Sequence, residues 1–207
     1  KQKTAYEIST RDWSSDVCSS DLRRNIERIG EIIAYEISKK LPWVEKNITT
    51  PLGVSKSKAL ASQPVLATIL RAGLPLHQGM LNYFDNADNA FIAAYRKHQR
   101  DGSFEISLEY LSSPNLDGRV LILCDPMLAT GASLVKTIEF LKQEGNIAEI
   151  HVACVIACTE GIDFLRRHEP QVSIWCGDID DELTAKGYIV PGLGDAGDLA
   201  FGEKMQS

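Results

Sequence analysis

An apolar run, an acid and a loop of small residues follow one another in Val120–Ser133, VLILCDPMLATGAS, and a helical pattern begins where they stop. Val120–Cys124 read as a buried strand, while Leu134, Ile138 and Leu141 recur at helical spacing until Gly145 closes the helix. The loop therefore sits at the carboxyl end of a strand and opens a helix. In an open α/β sheet that edge is where ligands bind, because helix amino termini ring the crevice. The backbone N–H groups of Ala129–Ser133 can point at an anion there, and the hydroxyls of Thr130 and Ser133 add donors. Asp125, just ahead of this cradle, suits hydrogen bonds from the hydroxyls of a sugar attached to the anion, so the implied ligand is a phosphate joined to a ribose. A Walker-type loop is excluded, since the segment lacks Gly-Lys-Ser/Thr and offers no lysine before Lys136.

The rest of the chain keeps this rhythm. Val65–Leu70, Ala90–Tyr95, Ile150–Ala157 and Val172–Cys176 read as further strands, and helical segments lie between the last of them. The pattern predicts an α/β fold with a mostly parallel twisted sheet flanked by helices. Phe104, Ile106, Leu108 and Tyr110 alternate with polar residues, and Arg100-Asp101-Gly102-Ser103 is a turn signal, so this region is expected to form a β-hairpin arm. Upstream, Leu22, Ile26, Ile29, Ile33 and Ile37 predict an amphipathic helix that stops at Leu41-Pro42, followed by a polar connection through Pro51-Leu52-Gly53.

Residues 1–22, with the string RDWSSDVCSSDL, lack this periodicity. They read as a non-native leader, similar to translated sequencing-adapter DNA, or as a disordered tail rich in Ser and Asp. The folded domain is expected over residues 23–207.

Composition narrows the partners. The 207 residues suffice for one domain with a sizeable core, and 44% hydrophobic with 24% charged residues is globular usage. A formal charge of -6 argues against nucleic acid, so a phosphorylated substrate must be held by a local basic site. The five cysteines form no CxxC pair and mostly fall in apolar runs, as buried reduced thiols do. No apolar run approaches the roughly 20 residues of a membrane span. These features predict a cytoplasmic chain with no membrane partner.

Arg71, in ILRAGL, follows a strand and is flanked by Ala72 and Gly73, so the loop can present amides and a guanidinium to a diphosphate. Arg96 ends AAYR at the start of the hairpin, and Lys97, His98 and Arg100 make that neighbourhood basic. Near the end, GLGDAG matches the dinucleotide fingerprint literally, but the residues after Gly197 provide neither the βαβ unit nor the acid that fingerprint requires. Its glycine-punctuated backbone suits a small planar base whose edge alternates donors and acceptors. Asp178, Asp180, Asp181 and Glu182 are expected in a solvated polar turn, and the four histidines share no ligand spacing.

Asp125-Pro126-Met127-Leu128-Ala129-Thr130-Gly131-Ala132-Ser133 resembles the phosphoribosyl-diphosphate (PRPP) signature of uracil phosphoribosyltransferases, in which Pro-Met takes the place of a second acid. Gly187–Asp198 with Phe201-Gly202 resembles the uracil-binding segment of the same family. The likeness covers about residues 23–204. It implies the type I phosphoribosyltransferase fold with a small hood from the chain ends, and transfer of phosphoribosyl from PRPP to uracil, giving UMP and diphosphate. It further implies PRPP binding by Arg71, Arg96, all nine residues from Asp125 to Ser133, and Asp195. Uracil would be held by Ile189, Gly194, Asp195 and Ala196, largely through main-chain groups, and Arg71, Asp125 and Asp195 would serve catalysis. Mg²⁺ is implied as cofactor, carried by PRPP and water with Asp195 on its side and no direct protein ligand. A homodimer or larger homo-oligomer and GTP activation belong to the same implication.

Ala132 stands where a second glycine is common in the family, and alanine would strain the loop if that position needs positive φ. Two other readings stay open on these residues: a uracil- or UMP-sensing regulator on the same fold, and a phosphoribosyltransferase for another base. The acidic charge and Pro126-Met127 disfavour the first, and GLGDAGD disfavours the second.

Overall fold

A computed structural model describes residues 15–98 and 104–203. Its centre is a sheet of seven strands: β3 (Val65–Leu70), β4 (Asp88–His98), β5 (Phe104–Ser112), β6 (Val120–Cys124), β7 (Met127–Leu128), β8 (Glu149–Cys158) and β9 (Ser173–Asp180). Across the sheet the order is β5-β4-β3-β6-β8-β9, with the short β7 lying beside the carboxyl half of β8. Every pairing is parallel except β4 with β5, whose register runs from Phe91↔Ser112 to His98↔Phe104. That antiparallel pair is the expected hairpin arm, and its turn at 99–103 lies outside the described residues.

Both faces of the sheet are covered, which is why its central strands are continuously apolar rather than alternating. Val65, Ala67, Leu121, Leu123, Val152 and Cys154 turn to one side, against α3 (Ala132–Gln143) and α4 (Thr159–His168). Leu66, Ile122, Cys124, Ala153 and Val155 turn to the other, where α1 (Ser15–Ser38) and α2 (Leu74–Leu81) supply Ile26, Ile33, Ile37, Leu76 and Met80. These two helices touch backbone to backbone: a Cβ on Gly79 would lie 2.0 Å from the Glu27 carbonyl, and one on Gly30 2.6 Å from that of Leu76.

Helix α1 begins at Ser15, ahead of the first apolar-periodic residue. Ser15–Asp21 carry no apolar stripe, yet extending a helix already anchored by Ile26 and Ile33 costs little once its nucleus exists. The polar connection expected around Pro51 is the turn of a second hairpin, β1 (Trp43–Thr50) with β2 (Gly53–Leu60), paired from Trp43↔Leu60 to Thr50↔Gly53. Its strands lack the apolar alternation of a half-buried sheet because β1 is exposed along its whole length. A last small pair, β10 (Glu182–Leu183) and β11 (Ile189–Val190), leads into α5 (Ala196–Phe201). Asp178 and Asp180 lie in β9 and Glu182 in β10, so the expected polar turn is strand at those three positions; among the described residues no group of three or more acids, histidines or cysteines could hold a metal.

Candidate active site

The carboxyl edge of β6 carries Asp125, whose amide donates to the Ala153 carbonyl at 3.1 Å. Within the expected loop, Met127 and Leu128 form β7 beside Ile156 and Ala157, so the cradle is tied to the sheet on its way to α3. Gly131 caps α3 at φ 80° and ψ −14°, left-handed geometry that glycine adopts without a Cβ penalty. Ala132 is the first residue of the helix, and no non-glycine described residue has positive φ. The departure at 132 therefore brings no left-handed strain. The Ala132 amide is 3.4 Å from Thr130 Oγ1, and Val135 N–H donates to the Gly131 carbonyl at 3.0 Å. The amides of Ser133 and Leu134 have no intrahelical acceptor, so the helix start presents donors where a phosphate is expected.

The cradle rests on α4. A Cβ on Gly161 would lie 2.1 Å from the Ala129 carbonyl, so this glycine lets α4 pack directly beneath the loop. Cys124, immediately before Asp125, is fully buried; burial first and the neighbouring Asp125 charge second raise its pKa, keeping the thiol protonated. It is packing, not a nucleophile.

Arg71 follows β3, and the Leu70–Arg71 peptide is cis. A Cβ on Gly73 would meet Thr68 Oγ1 at 2.3 Å and the Cys124 carbonyl at 2.6 Å, which sets the Arg71–Gly73 loop against the strand that carries Asp125. The guanidinium reaches away from its own loop: Nη2 donates to Asp198 Oδ1 at 3.2 Å and to the Gly202 carbonyl at 2.9 Å. The diphosphate-type loop and the glycine-rich segment, 127 residues apart, are thus in direct contact.

In that segment Ile189 is buried and pairs with Leu183, and Ala196 is buried at the start of α5. Asp195 caps α5, its Oδ1 accepting the Asp198 amide at 2.9 Å. Gly194 has φ 76° and lies exposed between them. Gly192 must be glycine: its φ is 45°, and a Cβ would lie 2.3 Å from the Ile189 carbonyl. Its amide donates to Asp180 Oδ2 at 3.1 Å, so one of the acids expected to be merely solvated anchors the glycine turn. A Cβ on Gly187 would lie 3.3 Å from Thr130 Cγ2, which places the β10–β11 turn next to the cradle.

Arg96 pairs with Ile106, three residues beyond the Leu70↔Ala93 pairing of β3 with β4, and so lies past the same sheet edge that carries Arg71. Its side chain is outside the described residues. Arg71 is joined to the glycine-rich segment through Asp198 and Gly202, and Gly187 of that segment sits beside the Thr130 methyl of the cradle; these contacts are not made by Ile189, Gly194, Asp195 or Ala196 themselves. Asp198, Asp180 and Gly161 are the members that sequence reasoning missed. The Asp195-x-x-Asp198 spacing is an acid-to-helix cap signal that could have marked the start of α5; nothing local marks Asp180 or Gly161.

An acid and a small-residue loop after one central strand, with an arginine loop after its neighbour, all at the carboxyl ends of parallel strands, are the layout of the type I phosphoribosyltransferase fold. Solved structures share this fold: the chain superposes on a purine phosphoribosyltransferase from Pyrococcus horikoshii with TM-score 0.50 (15% identity, 74% of this chain and 79% of that one), and on a hypoxanthine phosphoribosyltransferase from Staphylococcus aureus with TM-score 0.53 (13% identity, 78% and 76%). The AQ2163 protein from Aquifex aeolicus is much nearer, with TM-score 0.83 and 30% identity over 93% of this chain and 91% of that one. The family model for uracil phosphoribosyltransferase matches residues 8–203. Uracil phosphoribosyltransferases from Porphyromonas gingivalis and Dictyoglomus thermophilum are 50% and 40% identical, covering 88% and 89% of this chain and 85% and 88% of theirs. The chain belongs to the uracil phosphoribosyltransferase family. Its reaction is the family's transfer of phosphoribosyl from PRPP to uracil, forming UMP and diphosphate, a step of pyrimidine salvage.

Proposed function

We propose that the three converging segments divide the substrates between them. The observation that carries this reading is the contact of Arg71 with Asp198 together with the seating of Gly187 against Thr130, which gathers the arginine loop, the cradle and the glycine-rich segment around one crevice. The amides at the start of α3 and the hydroxyls of Thr130 and Ser133 hold the 5′-phosphate of PRPP. Asp125 accepts from the ribose hydroxyls and holds the ring in line. Arg71 and, from the arm, Arg96 bind the diphosphate, whose departure they stabilise.

Ile189, Gly194 and Ala196 present main-chain groups to the uracil edge. Cytosine exchanges donor and acceptor there and leaves buried groups unpaired, so it is rejected. Uracil N1 attacks ribose C1 as the C1–O bond to diphosphate breaks, the N1 proton passing to water or to the departing diphosphate, through a transition state resembling an oxocarbenium ion by analogy with glycosyl transfer. Asp195 stands on the side where PRPP would carry Mg²⁺, and its carboxylate is a hard oxygen donor of the kind that ion takes, directly or through water. When bound, Mg²⁺ would neutralise leaving-group charge.

The homo-oligomer, GTP activation and cytoplasmic location are part of the same proposal. The exposed β1–β2 hairpin supports the first, and the free thiols of Cys124, Cys154, Cys158 and Cys176 suit the reducing compartment. GTP rests on the family resemblance alone. The test is UMP formation from labelled uracil, PRPP and Mg²⁺, with cytosine and hypoxanthine as competitors and with and without GTP. Uracil-specific turnover that falls about 10²-fold or more in Asp125→Ala is expected, a loss typical of removing one transition-state contact. Unchanged turnover in that variant would overturn the role of Asp125.

A further inference from the structure

We infer that Asp198 is the positioning residue for Arg71, holding Nη2 of the guanidinium so that Nη1 is presented to the diphosphate. The inference rests on the assignment of Arg71 to the diphosphate and adds a residue that the substrates need not touch.

Three acceptors converge on the far edge of Arg71. Nη2 donates to Asp198 Oδ1 at 3.2 Å and to the Gly202 carbonyl at 2.9 Å, and Nη1 lies 3.5 Å from the Phe201 carbonyl. A guanidinium has five N–H donors in a fixed plane, so two bonds from Nη2 fix the orientation of the whole group and leave one Nη1 donor for another acceptor. Nε, on the same side as Nη2, is buried and so closed to a ligand. A diphosphate oxygen is the acceptor that the remaining Nη1 donor would meet at this loop.

The anchor is itself held. The Asp198 amide donates to Asp195 Oδ1 at 2.9 Å, and its carbonyl accepts the Gly202 amide at 2.8 Å. On the other side of α5, Arg23 Nη1 donates to the Ala200 carbonyl, and its guanidinium lies over the Phe201 ring at 5.8 Å. Helix α5 is thus fastened between α1 and the Arg71 loop. An exposed ion pair adds little to stability, and Arg71 and Asp198 are 37% and 34% exposed. What the pair supplies is direction, since an unanchored arginine samples rotamers that face water.

Asp198 meets the rest of its helix through main-chain atoms, so Asp198→Ala removes the carboxylate and leaves the Asp195 cap in place. That variant is expected to lower kcat/KM for PRPP about tenfold, within the range for a charge-assisted hydrogen bond, with KM for uracil changed less than about twofold. Asp198→Asn keeps an acceptor oxygen at the same position and is expected to recover most of the loss. In an Arg71→Ala background, Asp198→Ala is expected to cost nothing further, because there is no guanidinium left to hold.

An equal loss from Asp198→Ala with and without Arg71, wild-type kinetics in Asp198→Ala, or a parallel rise in KM for both substrates with a lowered melting temperature would each overturn the inference. Wild-type kinetics in Arg71→Ala would instead overturn the assignment of Arg71 to the diphosphate.

Discussion

His77 and His151 are 5% and 1% exposed, and burial, the dominant influence on both, pulls their pKa values below the ordinary 6.5. For His151 the Glu149 charge opposes this more weakly, and its Nδ1 accepts the Trp175 indole N–H at 3.1 Å, which fixes it as a neutral ring. As pH falls past about 6.5 the unfolded chain takes up protons that the folded chain refuses. The stability present above that pH is then lost at about 1.4 kcal/mol per pH unit per group until the folded value is reached. Thermal melts from pH 7.5 to 5.5 should show a falling midpoint, with a shallower fall in His151→Gln; a midpoint that rises on acidification would contradict this. The cysteines differ in the same way. Cys154 and Cys176 are paired partners on β8 and β9; the hydrogen bond from the Cys154 thiol pulls Cys176 down to about 7, with Arg166 a smaller help, while Cys154 is pushed up. Among the described cysteines, Cys176 should alkylate first at pH 7.5, as mass mapping after brief iodoacetamide treatment would show. Neither result is legible in the sequence, where all these residues look like unremarkable members of apolar runs.

At the scale of elements, the cradle is only as well placed as the helix under it. A Cβ on Gly161 would press to 2.1 Å on the Ala129 carbonyl, and one on Gly131 would lie 2.8 Å from the Gly161 carbonyl, so the two glycines let loop and helix meet without a gap. Gly161→Ala must push α4 and the loop apart, and a lower affinity for PRPP with little change in KM for uracil is the expected kinetic outcome. Gly131→Ala adds about 1–2 kcal/mol for a left-handed residue other than glycine, so it should cost more stability in a denaturant titration than Ala132→Gly. A stability order with Ala132→Gly the worse variant would mean that the loop does not need its left-handed turn. The strand, acid, small-residue loop and helix were readable at 120–145 because their residue types are fixed by local chemistry. The short β7 was not, because two residues carry no period, and Gly161 was not, because its constraint comes from a carbonyl more than thirty positions away.

The order of elements along the whole chain was legible from its continuous apolar strands, since a parallel sheet buried on both faces needs them. The β1–β2 hairpin escaped for the converse reason: it reaches the core only at its Leu60 end, so burial imposes no pattern along its length. An isolated two-stranded hairpin is marginal in water, and this one leaves Val44 and Ile48 half exposed on one face, opposite the small residues Ala59 and Ser55. Leu52, at its turn, is wholly exposed. Val44 and Ile48 flank Lys46 on one face, with Ser55, Ser57 and Ala59 opposite, and two exposed branched apolar side chains on one strand are what a second copy of the chain could cover, which fits the proposed homo-oligomer. The paired variant Val44→Lys, Ile48→Lys sits on the hairpin and not at the carboxyl edge of the sheet, so it tests assembly apart from the PRPP site. Sedimentation equilibrium should give a multiple of the chain mass for the wild type and a mass shifted toward a single chain for the variant; an unchanged multiple would place the contact elsewhere on the molecule.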